Sequence, residues 1–251
     1  MNYSALIQNR KSTREFTDQE IVFAQLETIR NYYYNSVRRL VPEIRAELRC
    51  FGPGTGAALE GAAGYEQFLI GAPNYLVLLS DKSPLAGYNA GYLMQDLSLK
   101  LQDMELGSCW ITFHDSESVK KALAIDSRLD VAAIVAFGHG KKAARRPRIN
   151  ILSMSNINIF AKRRYMDPKK SVGDLTYLNV WGNRYGLERY IGFYDDMLWE
   201  SLYAASLAPS YLNRQPYGFL IHDGRITLVQ KPDSQTHAID TKLNLGIVLL
   251  H

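Results

Sequence analysis

Two stretches about 200 residues apart hold the side chains best suited to chemistry. The first, Asn9-Arg10-Lys11-Ser12-Thr13-Arg14-Glu15-Phe16, is a basic turn that also bears hydroxyls. A terminal phosphate needs fixed positive charge and strong donors, which Arg10 and Ser12 with a later Lys/Arg would supply as a forked guanidinium, a hydroxyl and a second cation. The second, Ala208-Pro209-Ser210-Tyr211-Leu212-Asn213-Arg214-Gln215-Pro216, runs out of a helical pattern (Trp199 to Leu207) into the strand-like Tyr217-Gly218-Phe219-Leu220-Ile221. Its two prolines serve first to reverse the chain, because proline cannot continue a helix and pushes its predecessor toward extended geometry. Held between them are Ser210, Asn213 and Gln215, whose amide and hydroxyl groups suit a planar polar ligand. On the residues alone, both readings of the loop stay open.

Together the two stretches resemble the nitroreductase-like flavoprotein family, whose members carry an N-terminal Arg-x-Ser turn and an Ala-Pro-Ser-x-x-Asn-x-Gln-Pro loop. The resemblance implies an α+β, nitroreductase-like fold with a central, mainly antiparallel sheet flanked by helices, and flavin mononucleotide (FMN) as cofactor. Ordinary members are homodimers that hold FMN at the subunit interface, between the turn of one subunit and the loop of the other. In a typical member the loop follows the turn by a few dozen residues. Here it comes after residue 200, and the stretch that should hold it (Ile29 to Arg49) reads as helix. What this implies is an intramolecular pseudo-dimer of two degenerate halves, as in the single-chain nitroreductases. Residues 1–251 then form one domain of two pseudo-repeats, with 1–140 as the N-terminal half, 141–195 as a basic connecting segment and 196–251 as the C-terminal half.

By the same resemblance, Arg10 and Ser12, with a later Lys/Arg, hold the FMN phosphate, and Lys11 of the same turn is cofactor-binding. Arg14 reaches the pyrimidine edge of the flavin, where positive charge stabilises the anionic reduced ring. Ser210, Asn213 and Gln215 bind the ribityl chain or ring from the opposite half. Gly107 and Ser108 fall in a glycine-containing loop near the ring, although a helix C-cap before a buried Trp110 accounts for them equally well. Family members also carry a basic pair at the phosphate after the last core strand, for which Arg163, Arg164, Lys169 and Lys170 are the candidates.

At 251 residues and 47% apolar composition the chain can bury a substantial core. No stretch is long and apolar enough to cross a bilayer, and Met1 to Ser12 lacks the apolar run of a secretion signal. Cys50 and Cys109 have no metal-ligand spacing and none of the five histidines has one, so no metal is expected. A cytoplasmic protein with reduced thiols follows as the expectation. The net charge of +4 is unevenly placed, with ten Lys/Arg against one Asp between residues 141 and 170. Such clustering raises a nucleic-acid reading, against which stand the low aromatic content there and the use the flavin reading has for one cluster.

The elements that must position these groups show in the periodicity. Tyr3 to Gln8 suggests a short helix. Thr17-Asp18-Gln19-Glu20 has capping-box form, and Leu26, Ile29, Tyr33, Val37, Leu40, Ile44 and Leu48 recur at helical spacing with a kink at Pro42. Gly52-Pro53-Gly54-Thr55-Gly56 lacks the spacing of a phosphate loop. Asn74 to Leu79 and Val131 to Phe137 read as buried strands around a helix from Tyr88 to Leu106, which Gly107 ends. Asp196 to Leu207 is the helix that delivers the Asn213 loop. Asp223-Gly224 marks a hairpin. The closing run Ile239 to His251 echoes Tyr88 to Leu97, with Gly246 matching Gly91, and reads as a helix continuing beyond His251.

The implied activity is hydride transfer from NADH or NADPH to a nitro, quinone or related small-molecule acceptor by ping-pong kinetics, in a monomer (the internal pseudo-dimer) or a homodimer. Two other readings remain: a flavin-binding protein without turnover, for storage or sensing, and a flavin-free scaffold or nucleic-acid-binding protein.

Overall fold

The computed structural model describes residues 1–65, 68–141, 169–187 and 196–251. In its N-terminal part, β1 (Ala46–Phe51), β2 (Asn74–Ser80), β3 (Gly107–Ile111) and β4 (Asp130–Gly138) pair antiparallel in the order β1-β2-β4-β3. Around them lie α1 (Tyr3–Asn9), α2 (Phe23–Asn35), α3 (Thr55–Leu59), α4 (Ala86–Asp103) and α5 (Ser116–Ala122). The two uninterrupted apolar runs became the two central strands, because a strand covered on both faces has no polar side to show. Leu76, Leu78, Val135 and Phe137 pack with Leu93, Leu97 and Leu101 of α4. Their alternates Tyr75, Val77, Leu79 and Ile134 meet Leu59 of α3 and Val119 of α5 on the other face.

The second part contains α6 (Val172–Leu175), β5 (Thr176–Leu178), α7 (Asp196–Ser206), β6 (Tyr217–His222), β7 (Arg225–Gln230) and α8 (Ala238–Leu250). β6 is the middle strand, parallel to β5 and antiparallel to β7. Asp223 and Gly224, with φ of 47° and 70°, make the tight turn of the β6–β7 hairpin. No described helix is long and apolar enough to cross a membrane.

The two parts meet helix on helix. A Cβ on Gly91 of α4 would stand 2.2 Å from the carbonyl oxygen of Leu243, and a Cβ on Gly246 of α8 would stand 2.0 Å from that of Tyr88. Each glycine therefore meets the backbone three residues before the other glycine, a reciprocal pair of contacts. A second pair of contacts repeats it. Asn89 Oδ1 accepts the Val41 N–H at 3.0 Å, and Asn244 Oδ1 accepts the Tyr211 N–H at 3.1 Å. Each asparagine stands two residues before its glycine and ties down the loop that follows a helix, α2 in one case and α7 in the other.

The helix expected to run from Asp18 to Leu48 does not form. Thr17 is engaged elsewhere, donating its N–H to the His139 carbonyl at 2.8 Å, and α2 starts only at Phe23, where the Gln25 side chain accepts the Val22 N–H at 3.1 Å. Beyond Ser36 the chain turns, and Ala46–Phe51 is strand β1. Leu48 packs into the same core as Ile29 and Tyr33, so its spacing imitates a helix although its backbone pairs with β2. Nor is Gly107 a helix cap. The left-handed position after α4 is Glu105, at φ 60°, and Gly107 begins β3 with the Thr13 side chain pressed against its Cα.

Candidate functional site

The N-terminal turn is stitched across the sheet by backbone hydrogen bonds. The N–H of Thr13 donates to the Ser108 carbonyl at 2.9 Å at the start of β3, and that of Lys141 donates to the Glu15 carbonyl at 2.9 Å beyond β4. From the other half comes the loop after α7. Gln215 is fully buried within it: its Nε2 donates to the Ser206 carbonyl at 2.9 Å and to the Tyr217 hydroxyl at 3.2 Å, and its Oε1 accepts the Lys170 N–H at 2.7 Å. Arg214 forks onto Asp233 at 2.7 and 2.8 Å and holds that carboxyl well below the usual range. These anchors keep Leu212, Asn213 and Gln215 in left-handed backbone, at φ of 46°, 61° and 47°. Non-glycine residues reach that region only where their surroundings over-determine it.

Between turn and loop lies a cavity of about 810 Å³. Ser12 and Arg14 form one side; Pro209, Ser210, Tyr211 and Leu212 form another. The floor is Cys109 to Thr112 of β3 and its continuation, faced by Leu243, Asn244 and Ile247 of α8. Its size is within the ordinary range for cofactor pockets. Burial raises the Cys109 thiol, against Arg14, Arg10 and a hydrogen bond with Ser12, so the thiol stays protonated at neutral pH and acts as wall. Among the described residues, the buried Nδ2 of Asn244 and the buried Nε and Nη1 of Arg10 find no hydrogen-bond partner.

Charge gathers at the Ala208 end. Lys169 has an exposed stem, but its amine turns inward and donates to the Ala208 carbonyl. Desolvation, then the field of Arg10, bring that amine down to about 7. Burial pulls the Arg10 guanidinium down to about 10, and His251 nearby is held neutral, at about 3, by its own burial. Among the described residues neither Arg10 nor Lys169 forms an ion pair with a carboxylate, and covered cations favour a nearby anion.

The sequence profile described as "Putative TM nitroreductase" matches residues 2–171. The chain belongs to this family. Among solved structures, a "putative nitroreductase" from Thermotoga maritima aligns over 100% of this chain and 81% of its own with a TM-score of 0.59 at 16% identity, a likeness of fold. An "FMN-dependent Nitroreductase" from Clostridium difficile R20291 aligns over 61% of this chain and 95% of its own, with 19% identity and a TM-score of 0.48. A "putative nitroreductase in complex with FMN" from Desulfovibrio desulfuricans aligns over 59% and 93%, with 21% identity and a TM-score of 0.46. No curated protein sequence matches the chain.

Within this nitroreductase-family fold, Ser12, Arg14 and Ser210 stand on the cavity wall, the first two from near the start of the chain and the third from after residue 200. Arg10 and Lys169 lie together at the Ala208 end and are not part of the cavity lining. Asn213 is half-buried in the loop and gives its N–H to the Ser210 carbonyl at 2.9 Å. Several expected contacts fall elsewhere. Both ends of the Gln215 amide are spent inside the protein, so it builds the loop instead of lining the cavity. Ser108 shares a hydrogen bond of 2.8 Å with Ser98, beneath α4, and Gly107 backs onto Thr13. Lys11 is exposed, and the Lys170 amine donates to the Arg214 carbonyl at 2.7 Å. Arg163 and Arg164, with most of the basic segment, lie outside the described residues. Tyr65, Phe68, Ile70, Tyr211 and Asp240 line the cavity without having been anticipated. The shared Asn-x-Gly of Asn89-Ala90-Gly91 and Asn244-Leu245-Gly246 is the signal that could have placed α8 at the site.

Proposed function

We propose that the chain is an FMN-dependent oxidoreductase that uses NADH or NADPH to reduce nitro compounds, quinones or related small molecules. The observation that carries this is the shared cavity: Ser12 and Arg14 from the beginning of the chain face Ser210 from its end, next to a buried Arg10 with unpartnered nitrogens. Arg10 and the Lys169 amine would take the phosphate, since a dianion supplies the charge and acceptor atoms that these groups lack. The Ser12 hydroxyl would add a donor. Arg14 would put positive charge at the ring, and Asn244 would offer its spare Nδ2–H. When bound, FMN supplies the two-electron redox centre that takes hydride from the nicotinamide and gives it to the acceptor. Because the flavin would hold the electrons between the two half-reactions, the donor could leave before the acceptor is reduced, and the kinetics would be ping-pong.

We read the molecule as an internal pseudo-dimer whose two walls come from one chain. Supporting this are the reciprocal Gly91 and Gly246 contacts, the matched Asn89 and Asn244 hydrogen bonds, and the recurrence of helix, antiparallel strand pair and helix as α2-β1-β2-α4, with the short α3 inserted between its strands, and α7-β6-β7-α8. FMN titration into purified, flavin-depleted protein, followed by visible absorbance, tests the reading. One equivalent should bind, and Arg10→Gln should weaken binding at least tenfold, a loss in keeping with charge-assisted hydrogen bonds. Unchanged affinity in that variant, or no flavin uptake by the unmodified chain, would refute it.

A further inference from the structure

Beside the main cavity, and sharing Gly64, Tyr65, Thr112, Tyr211 and Leu212 with its wall, lies a second cavity of about 570 Å³. His114, Gln235 and His237 complete its lining. Four rings run along it in turn. Tyr65 meets Tyr211, Tyr211 meets His237 and His237 meets His114, each edge to face with centroids 6.0 Å apart. Tyr65 and His114 come from one half of the chain, Tyr211 and His237 from the other. On the wall of the main cavity the Asp240 carboxyl is buried, and the hydroxyl of Thr112, which lines both cavities, donates to it at 2.8 Å. Burial raises this carboxyl; the Thr112 hydrogen bond and the charges of His237 and His114 pull it back. Both imidazoles are exposed, so their N–H groups are available to a visitor.

Aromatic surface flanked by N–H donors is what a flat ring with oxygens on its edge requires. We infer that this second cavity is the acceptor subsite, where His114 and His237 donate hydrogen bonds to the oxygens of a nitroaromatic or quinone whose ring rests against Tyr65 and Tyr211. The inference depends on the flavin reading above, because the acceptor must reach the reduced flavin held in the adjoining cavity. Reduction places negative charge on the acceptor's oxygens, where fixed donors act most strongly. The phosphates of a nicotinamide donor suit this place less well, since the covered cations Arg10 and Lys169 lie at the Ala208 end instead.

The test uses oxidised, FMN-loaded protein without nicotinamide, so that nothing turns over, and 1,4-naphthoquinone as the probe. In the double variant His114→Ala/His237→Ala the quinone Kd, read by quenching of protein fluorescence, should rise about tenfold, the loss expected for two neutral hydrogen bonds. The FMN Kd should change less than twofold. In the unmodified protein, the imidazole proton resonances of His114 and His237 should move on adding the quinone. A quinone Kd unchanged in the double variant, with FMN retained, overturns the subsite and leaves the flavin reading intact. Failure of the unmodified chain to take up FMN overturns both. Should the double variant not fold, resonances that stay still in the unmodified protein overturn the subsite by themselves.

Discussion

Replacing Gly91 or Gly246 by alanine should drive the two halves of the molecule apart. The new Cβ would lie 2.2 Å from the Leu243 oxygen in the first case and 2.0 Å from the Tyr88 oxygen in the second. To reach the 3.0 Å that real Cβ atoms keep, the helices must part by 3.0 − 2.2 = 0.8 Å or 3.0 − 2.0 = 1.0 Å. Neither obstacle is a side chain that can swing away; both are backbone carbonyls within helices. Overpacking of this kind costs about 3 kcal/mol at the upper end of its usual range. Alanine's better helix propensity returns about 1 kcal/mol, which leaves a net loss of about 2 kcal/mol for each variant. With an m-value of about 3 kcal/mol/M, the urea midpoint would fall by about 0.7 M. The two costs should not add. Once one Cβ has separated the helices, most of the space for the other exists, so the double variant should lose well under twice the single loss. Gly52→Ala, where a Cβ meets nothing within 4 Å, provides the control. Single-variant midpoints equal to the unmodified protein's, or a fully additive double variant, would refute the reciprocal contact and with it the main support for the pseudo-dimer.

Two further outcomes follow from charged groups at the site. Because a phosphate prefers Lys169 as an ammonium and desolvation with Arg10 has brought that amine to about 7, FMN affinity should fall as pH rises through about 7. Riboflavin, which has no phosphate, should show no such fall in the same titration, and Lys169→Met should flatten the FMN profile; equal pH profiles for the two flavins would dismiss the phosphate role. The Asp233 carboxyl is depressed, chiefly by its hydrogen bond to Arg214, so its contribution to stability is present above the ordinary carboxylate pKa and is lost as pH falls through and below that value. Asp233→Asn should therefore cost about 1–2 kcal/mol near pH 7, as for a charge-assisted hydrogen bond, and progressively less in acid, measured by urea unfolding across pH.

Much of this protein was legible in local sequence, and for a local reason. The runs that became β2 and β4, the periodic face of α4, the Asp223-Gly224 hairpin and the turn-and-loop pair all announce themselves within a dozen residues, because strand pleat, helix pitch and turn chemistry are short-range constraints. The resemblance to a flavoprotein family rested on two such stretches, and the family match agrees with it. What the sequence could not fix was set by partners distant in the chain. Leu48 keeps helical spacing with Ile29 and Tyr33 yet lies in a strand, since pairing with β2 and not its own neighbours decides its backbone. Gln215 looked like a ligand-binding amide and is instead the buried peg of its loop, because Ser206, Tyr217 and Lys170 reach its amide first. Asp240 and Asn244 come to the cavity through packing of α8 on α4, and that packing depends on two glycines 155 residues apart. Periodicity states which side chains are covered; only the folded chain states by what.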